Sequence, residues 1–392
     1  MNRSTRSKYL LIHIILLSIL LSACMVSSGL NLQEQESEST LEMSDPTPRI
    51  EKFELPASLF YLQNGQIWQL DQDAQTVRQA IHEPDPIDAF DLSVNGMLAY
   101  ISKNSLIISD TNGNNRQILR EGLELPPVAD ELANLNDLDQ IATALRTPCW
   151  SPDGRKIAFI ENGLQVFDLE TRQSELIWRH EIDTEKPNLF ESVVSWSPDG
   201  KYLLVSQYTY PIEGKAHRWL SLLEIGGYLH VNIAPRVGGS FAWTPDASHL
   251  FLAIASFGSN RSLMRCESGT MQCQLIAEFE PARWYYYYAH PFVRDDGRLL
   301  VFMGASNQIT QPPDGLNLIS LNQDGYNRTN LRSDRYWIAE ALWAPNGHGV
   351  VIALAEETAD FPAGQLLWLN VKDAPAIPLP VREITNLRWG GD

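Results

Sequence analysis

Short apolar stretches recur along the chain in pairs, each pair broken by a tight polar turn. The clearest are Cys149-Trp150, the turn Ser151-Pro152-Asp153-Gly154 and then Ile157-Ala158-Phe159, and Ser195-Trp196, the turn Ser197-Pro198-Asp199-Gly200 and then Tyr202 to Val205. Pro fixes φ at the start of such a turn and Gly accepts positive φ at its end, so the pattern predicts two antiparallel strands joined directly. Weaker copies lie at Ala242-Trp243-Thr244-Pro245-Asp246, Val293-Arg294-Asp295-Asp296-Gly297, Leu342-Trp343-Ala344-Pro345-Asn346-Gly347 and Leu92-Ser93-Val94-Asn95-Gly96. The key position recurs at 150, 196, 243, 293, 343 and 389, in steps of 46 to 50. That period is the size of one four-stranded repeat. A second strand pair follows each turn, as in Leu316 to Leu321, the turn Asn322-Gln323-Asp324-Gly325, and Asn327 to Leu331.

The two ends complement each other. Leu387 to Asp392 reads as an inner strand with nothing after it, whereas Ser58 to Leu62, Gln66 to Leu70 and Thr76 to Ile81 read as three outer strands with no inner one. Shared between the ends, they make one further repeat and close the array into a ring without free edges. The expected fold class is therefore all-β: a β-propeller of seven four-stranded blades, or of six if the shared blade is misread. The step from Leu92 to Trp150 is longer, which places an insertion at about 120–147. Within it Leu132, Leu135, Leu138, Ile141 and Leu145 have helical spacing, predicting a helix on the rim.

The repeats Trp-Ser-Pro-Asp-Gly, with Asp110 to Asn115 and Asn322 to Asn327, resemble the TolB-like propeller repeat over roughly residues 55–392. The resemblance implies fold more than function, since such propellers serve as periplasmic scaffolds, peptidase companion domains and lyases. The α/β domain that precedes the propeller in TolB has no counterpart here.

The first residues have a different pattern. Arg3, Arg6 and Lys8 precede an apolar run from Tyr9 to Leu21 that ends in Leu21-Ser22-Ala23-Cys24. A basic start, a short apolar core and a Cys after two small residues resemble a bacterial lipoprotein signal, implying cleavage after residue 23 and lipid attachment at Cys24. An uncleaved membrane anchor is the alternative, and either reading makes the body extracytoplasmic. Residues 24–54 are polar and acidic without an apolar period, and read as a flexible tether. The expected division is thus 1–23 signal peptide, 24–54 tether and 55–392 propeller.

Composition adds little to this. The 392 residues carry a formal charge of −18, and no basic stripe follows the signal segment. That disfavours nucleic acid as a partner. Cys266 and Cys273 flank Glu267-Ser268-Gly269-Thr270 and could bridge across a hairpin in an oxidising compartment, or remain free thiols. Loops that enter the inner strands lie opposite the Pro-Asp-Gly turns, around the channel mouth, where the aromatic run Arg283 to His290 draws attention. Tyr286, Tyr288 and His290 from that run, Tyr208 and Tyr210 on a loop before His217, Trp337, and Arg236 as an anion contact are the candidate ligand-binding residues. One set of tyrosines could instead pack between blades.

No Gly-x-Ser-x-Gly elbow and no His-Glu-x-x-His pair occurs in the sequence, so no catalytic residue, metal ligand or cofactor is assigned. The expected function is a lipid-anchored module that binds an envelope protein, peptide or glycan at the channel mouth. A metal-dependent polysaccharide lyase, with His290 and other groups converging in the channel, is the alternative.

Overall fold

The computed structural model describes residues 53–123, 142–182, 187–209, 217–227, 230–235, 240–254, 262–270, 272–276, 285–308, 313–355 and 363–391. Cys24, Tyr210, Arg236, the signal segment, most of the tether and residues 124–141 of the insertion lie outside them.

Each Pro-Asp-Gly turn is fastened by its own side chains. Ser151 donates its hydroxyl to Asp153 Oδ1 (2.7 Å) and accepts the Lys156 N–H (2.9 Å), while the Arg155 N–H reaches the same Asp153 oxygen (3.1 Å). Gly154 sits at φ +67°, where a side chain would be strained. Ser197 with Asp199, and Thr244 with Asp246, repeat the arrangement at the next two turns. The hydroxyl bond from Ser151 holds the Asp153 carboxyl below the usual carboxylate range. At Asp246 the Thr244 hydroxyl leads several such bonds, and the carboxyl falls to about 2.

Among the described residues, 27 strands build antiparallel sheets in chain order. One sheet takes β4 to β7 (Ile87–Leu92, Met97–Ser102, Ser105–Asp110, Gln117–Glu121), and the next takes β8 to β11 (Arg146–Trp150, Lys156–Ile160, Gly163–Asp168, Gln173–Arg179). A third holds β12 to β15 (Asn188–Trp196, Tyr202–Thr209, His217–Glu224, His230–Pro235), and a fourth β16 to β19 (Ser240–Trp243, His249–Ile254, Ser262–Glu267, Cys273–Leu275). The fifth holds β20 to β23 (Tyr285–Val293, Arg298–Ser306, Asn317–Asn322, Thr329–Asn330). A seven-stranded sheet joins β24 to β27 (Ile338–Trp343, Gly349–Ala355, Ala363–Asn370, Ile377–Trp389) to β1 to β3 (Leu59–Gln63, Gln66–Leu70, Val77–Gln79).

The last strand explains that merger. The first part of β27 pairs with β26 (Trp368 with Ile377, Ala363 with Ile384), and its end pairs with β1 (Leu62 with Thr385, Leu59 with Trp389). The segment expected to be a short terminal strand thus begins ten residues earlier, at Ile377, and pairs first with β26 and then with β1.

Because strand residues alternate between faces, one strand supplies side chains to both neighbouring sheets. Leu98 and Tyr100 pack with Phe60 and Ile67 of the sheet before, and Ala99 and Ile101 with Ile157 and Phe159 of the sheet after. At the far side Val350 and Ile352 meet Leu300 and Phe302, while Val351 and Ala353 meet Leu59 and Tyr61. Such a core lies between every consecutive pair of sheets and also between the last and the first. The sheets therefore close into a ring. Each fully buried aliphatic or aromatic side chain contributes about 1.5–3 kcal/mol, and these inter-sheet cores hold most of them. Trp150, Trp196 and Trp343 are wedged in them at the ends of their inner strands.

Candidate binding face

Bonds between neighbouring inner strands define the two ends of the ring. Thr147 Oγ1 accepts the Val193 N–H (3.0 Å), Ser240 Oγ accepts the His290 N–H, and Glu340 Oε2 accepts the Asn386 N–H (3.0 Å). Each of these residues stands three positions before the key position of its repeat, so the inner strands run side by side in the same direction and register. All the Pro-Asp-Gly turns consequently lie at one end. The segments that enter the inner strands lie at the other, the mouth.

At the mouth a cavity of about 1030 Å³ spans three successive repeats. Glu83 to Asp85 ahead of β4, the β5–β6 turn at Lys103-Asn104, the end of β7 at Glu121-Gly122, and Ala144 to Thr147 at the start of β8 line it, with Glu191 on the far wall. Asn104 fastens both ends of the insertion there. Its amide donates to the Leu123 carbonyl (2.6 Å), and its Oδ1 accepts the Leu145 N–H (2.7 Å).

Charge in the cavity is mixed. Arg116 grips Glu83 with two nitrogens (2.7 and 3.2 Å), and the Tyr100 hydroxyl donates to the same carboxylate (2.7 Å). Burial alone would raise Glu83, but these bonds outweigh it and hold its carboxyl below the usual range. Asp88 on β4 is open to water on one side, while the desolvating walls push its carboxyl up. Asp85, Glu121, Lys103 and Arg146 complete the charged lining. Its described lining contains no histidine or cysteine. It offers carboxylates, guanidinium groups, an amide and backbone, which suits multipoint polar recognition.

The aromatic run fits the expected surface only in part. It is not a loop: Tyr285 to Val293 is itself the inner strand β20, with Tyr286 opposite Ala305 and Tyr288 opposite Met303. Alternation turns Tyr286 and Tyr288 to the same side, into the core shared with β17 and β18. Tyr288 is 7% exposed, and burial drives its phenol up to about 12. Tyr286 is half-buried, with the Arg328 guanidinium 5.9 Å from its ring centre. Tyr208 is also withdrawn. It lies in β13 rather than on a loop, and packs with Ala142 and Leu189. His290 occupies a bulge at φ 51°, with its ring edge-on to Phe302, and burial lowers it to about 4. Its carbonyl accepts the Trp343 indole N–H (3.0 Å), a bond that ties two repeats together. Trp337, 41% exposed, is the one candidate aromatic with a largely open face among the described residues.

Across β18 and β19, Cys266 and Cys273 are register partners joined by a disulfide. Cys149 is a free thiol; burial, followed by the charge of Asp91, pushes it well above its ordinary range. Among the described residues no three His, Cys, Asp or Glu side chains gather as a metal site would need, and no helix is long and apolar enough to cross a membrane.

No protein-family model matches the chain, and no curated protein does. Solved structures do. An oligogalacturonate lyase from Vibrio parahaemolyticus is similar at a TM-score of 0.54 and 12% identity, over 82% of this chain and 83% of that one. A prolyl endopeptidase is similar at 0.50 and 10% identity, over 86% of this chain and 51% of that one. The fold is a β-propeller. TolB from Acinetobacter baumannii also matches, at 0.42 and 15% identity over 86% of this chain and 83% of that one. At these identities the likeness concerns the propeller and not its chemistry.

The mouth cavity escaped the sequence reading because Glu83, Lys103, Arg146 and Glu191 form no motif. They come from three repeats and more than a hundred residues of chain. Aligning the repeats on Trp150 and Trp196 places Arg146 and Glu191 four and five positions before the key position, in neighbouring inner strands.

Proposed function

We propose that the protein is a lipid-anchored, extracytoplasmic binding propeller of seven four-stranded blades that engages an envelope protein, peptide or glycan through its mouth. The blade count draws support from β27, whose two halves complete two four-stranded sets. The cavity of about 1030 Å³ at the mouth carries the reading of function. It is large, open and lined by charges of both signs, and Trp337 adds an exposed aromatic ring on that same face. Burial of Tyr208 and Tyr288 argues against their direct contact with a ligand, so the ligand-facing set becomes Asp85, Asp88, Lys103, Glu121 and Arg146, with Trp337 as an exposed ring in another repeat.

Crosslinking capture from native envelopes, comparing wild type with an Asp88→Ala/Arg146→Ala variant of unchanged melting temperature, tests this. A partner or glycan retained only by the wild type supports the cavity as the binding site. Equal retention rejects it. The lyase alternative takes its motive from the likeness to oligogalacturonate lyase and would need donors from outside the described residues. Release of unsaturated products from polyuronates by the purified full chain, abolished by a chelator, would establish it in place of pure binding.

A further inference from the structure

We infer that the mouth cavity takes a ligand with a cationic head on an aliphatic stem, as the lysine and arginine side chains of a basic peptide or a free polyamine present it, and that it turns away anionic glycans. This rests on the cavity being the binding site, and it adds the charge and shape of what enters.

Charges in the wall fall into two groups, those already answered and those left over. Arg116 holds Glu83 with two nitrogens, and Glu191 accepts the Ser206 hydroxyl from β13. Arg146, opposite in sign to Glu191, has an interaction of its own. Among the described residues the carboxylates of Asp85, Asp88 and Glu121 make no hydrogen bond or ion pair, and neither does the Lys103 ammonium. Three unanswered carboxylates therefore stand against one ammonium in an open cavity. The chain's formal charge of −18 adds a field of the same sign at longer range, which draws cations in.

The backbone holds these carboxylates in place. Asp85 lies between Pro84 and Pro86, whose rings fix φ on either side, and its carbonyl accepts the Ser102 hydroxyl (3.2 Å). Asp88 is the extra residue of a bulge in β4: Ile87 pairs with Ser102 and Ala89 with Ile101, which leaves Asp88 unpaired and re-aimed at the cavity it lines. Glu121 closes β7 opposite Ser105. Desolvating walls push the Asp88 carboxyl up, so a cation beside it restores the stabilisation of the charged form that the lost water no longer gives.

Much of the remaining wall is aliphatic. Ile118 on β7 is 42% exposed, Ile107 on β6 is its register partner, and Pro84, Ala89 and Leu145 line the same cavity. A hydrated inorganic cation gains nothing from such surface, whereas the methylenes of lysine or arginine lie along it while the charged head reaches a carboxylate. At about 1030 Å³ the cavity is many times the size of one side chain and has room for a short segment of peptide. A uronate chain would bring further carboxylates up to Asp85, Asp88 and Glu121, and like charges set against each other reject a partner.

Fluorescence anisotropy of the full-length protein with a labelled Lys-Ala-Lys-Ala-Lys-Ala peptide tests this, with a Glu-Ala-Glu-Ala-Glu-Ala peptide, spermidine and trigalacturonate as competitors. Asp88→Asn and Glu121→Gln should each weaken the lysine peptide about threefold, and Lys103→Glu should tighten it by about as much. All three side chains are unpaired, so the melting temperature should not move with them. Affinity should also fall as salt rises from about 50 to about 300 mM. Displacement by spermidine at lower concentration than by unlabelled lysine peptide would support the cationic site and assign it to a free polyamine. Equal binding of the glutamate peptide, affinities unmoved by all three substitutions, or no lysine-peptide binding at about 1 mM would overturn the charge assignment. Stronger displacement by trigalacturonate would overturn it too and return the cavity to a glycan. In each of those cases capture with the Asp88→Ala/Arg146→Ala variant still decides separately whether the cavity is a binding site.

Discussion

Two junctions in the ring do the same geometric job with different means. Between β8 and β12 the chain is continuous through the intervening strands, the Thr147 hydroxyl accepts the Val193 N–H, and the Trp196 indole donates to the Cys149 carbonyl (3.0 Å). At the seam, where β27 meets β1 and faces β4, the two sides come from opposite ends of the sequence. There the bonds are charged. Arg388 donates to Asp91 (2.6 Å), whose other oxygen accepts the Trp150 N–H (2.7 Å), and Glu340 accepts the N–H groups of both Asn386 and Leu387. The Asn386 amide adds a bond to the Phe90 carbonyl (2.7 Å). Continuity of the chain supplies effective concentration at the ordinary junction, whereas the seam relies on stronger, charge-assisted bonds to hold its ends together.

The largest effect should come from removing the seam altogether. Ending the chain after Ile384 deletes the β1–β27 ladder, the buried Leu387 and the Arg388 pair. The loss is on the order of a whole domain's stability, about 5–15 kcal/mol. The cooperative thermal transition should vanish in calorimetry; a retained two-state transition would show that the ring stands without its last strand.

Point substitutions should rank the two junctions. Asp91→Ala strands the Trp150 N–H and a partly exposed guanidinium, for a cost of about 3 kcal/mol; Thr147→Ala removes one neutral bond and costs about 1 kcal/mol. Urea midpoints at unchanged slope give both values. Equal losses would mean that charge confers no advantage at the seam.

Acid should act on the ordinary junctions more gradually. His180 follows β11, and its Nδ1 accepts the Phe190 N–H (3.1 Å) from the next sheet. Burial, and then the charge of Arg146, lower this imidazole from 6.5 to about 4. Below pH 6.5 the unfolded chain takes up a proton that the folded one refuses, so stability falls as pH drops from 6.5 and levels off near 4. His180→Gln should flatten that slope in melting temperature against pH, leaving the part due to His290, which burial lowers likewise. An unchanged slope would show that His180 is not the group responsible.

The features legible in the sequence are those written into a few adjacent residues. Ser151-Pro152-Asp153-Gly154 specifies its turn through bonds within six residues, and the tryptophans mark the inner-strand ends because a large ring before that turn must enter a core. Tyr285 to Tyr288 were ambiguous because four identical amphipathic residues give alternation nothing to act on; the side they present was settled by the sheet beside them. The double use of β27 was partly hidden for a related reason. Its first half, with Pro378 and Pro380, carries few signals of a paired strand, yet it occupies an outer position where missing N–H groups are tolerated.

The shared strand also sets an order of events during synthesis. Strands β1 to β3 leave the ribosome first, and the inner edge of β1 has no partner until residues 385–389 follow, more than 300 residues later. At about 5–20 residues per second that is a wait of at least roughly 15 s with a strand edge open to other chains. A protein built this way is most exposed to mispairing at its beginning and protected only by its end, so a holding factor would do most good on the first strands made.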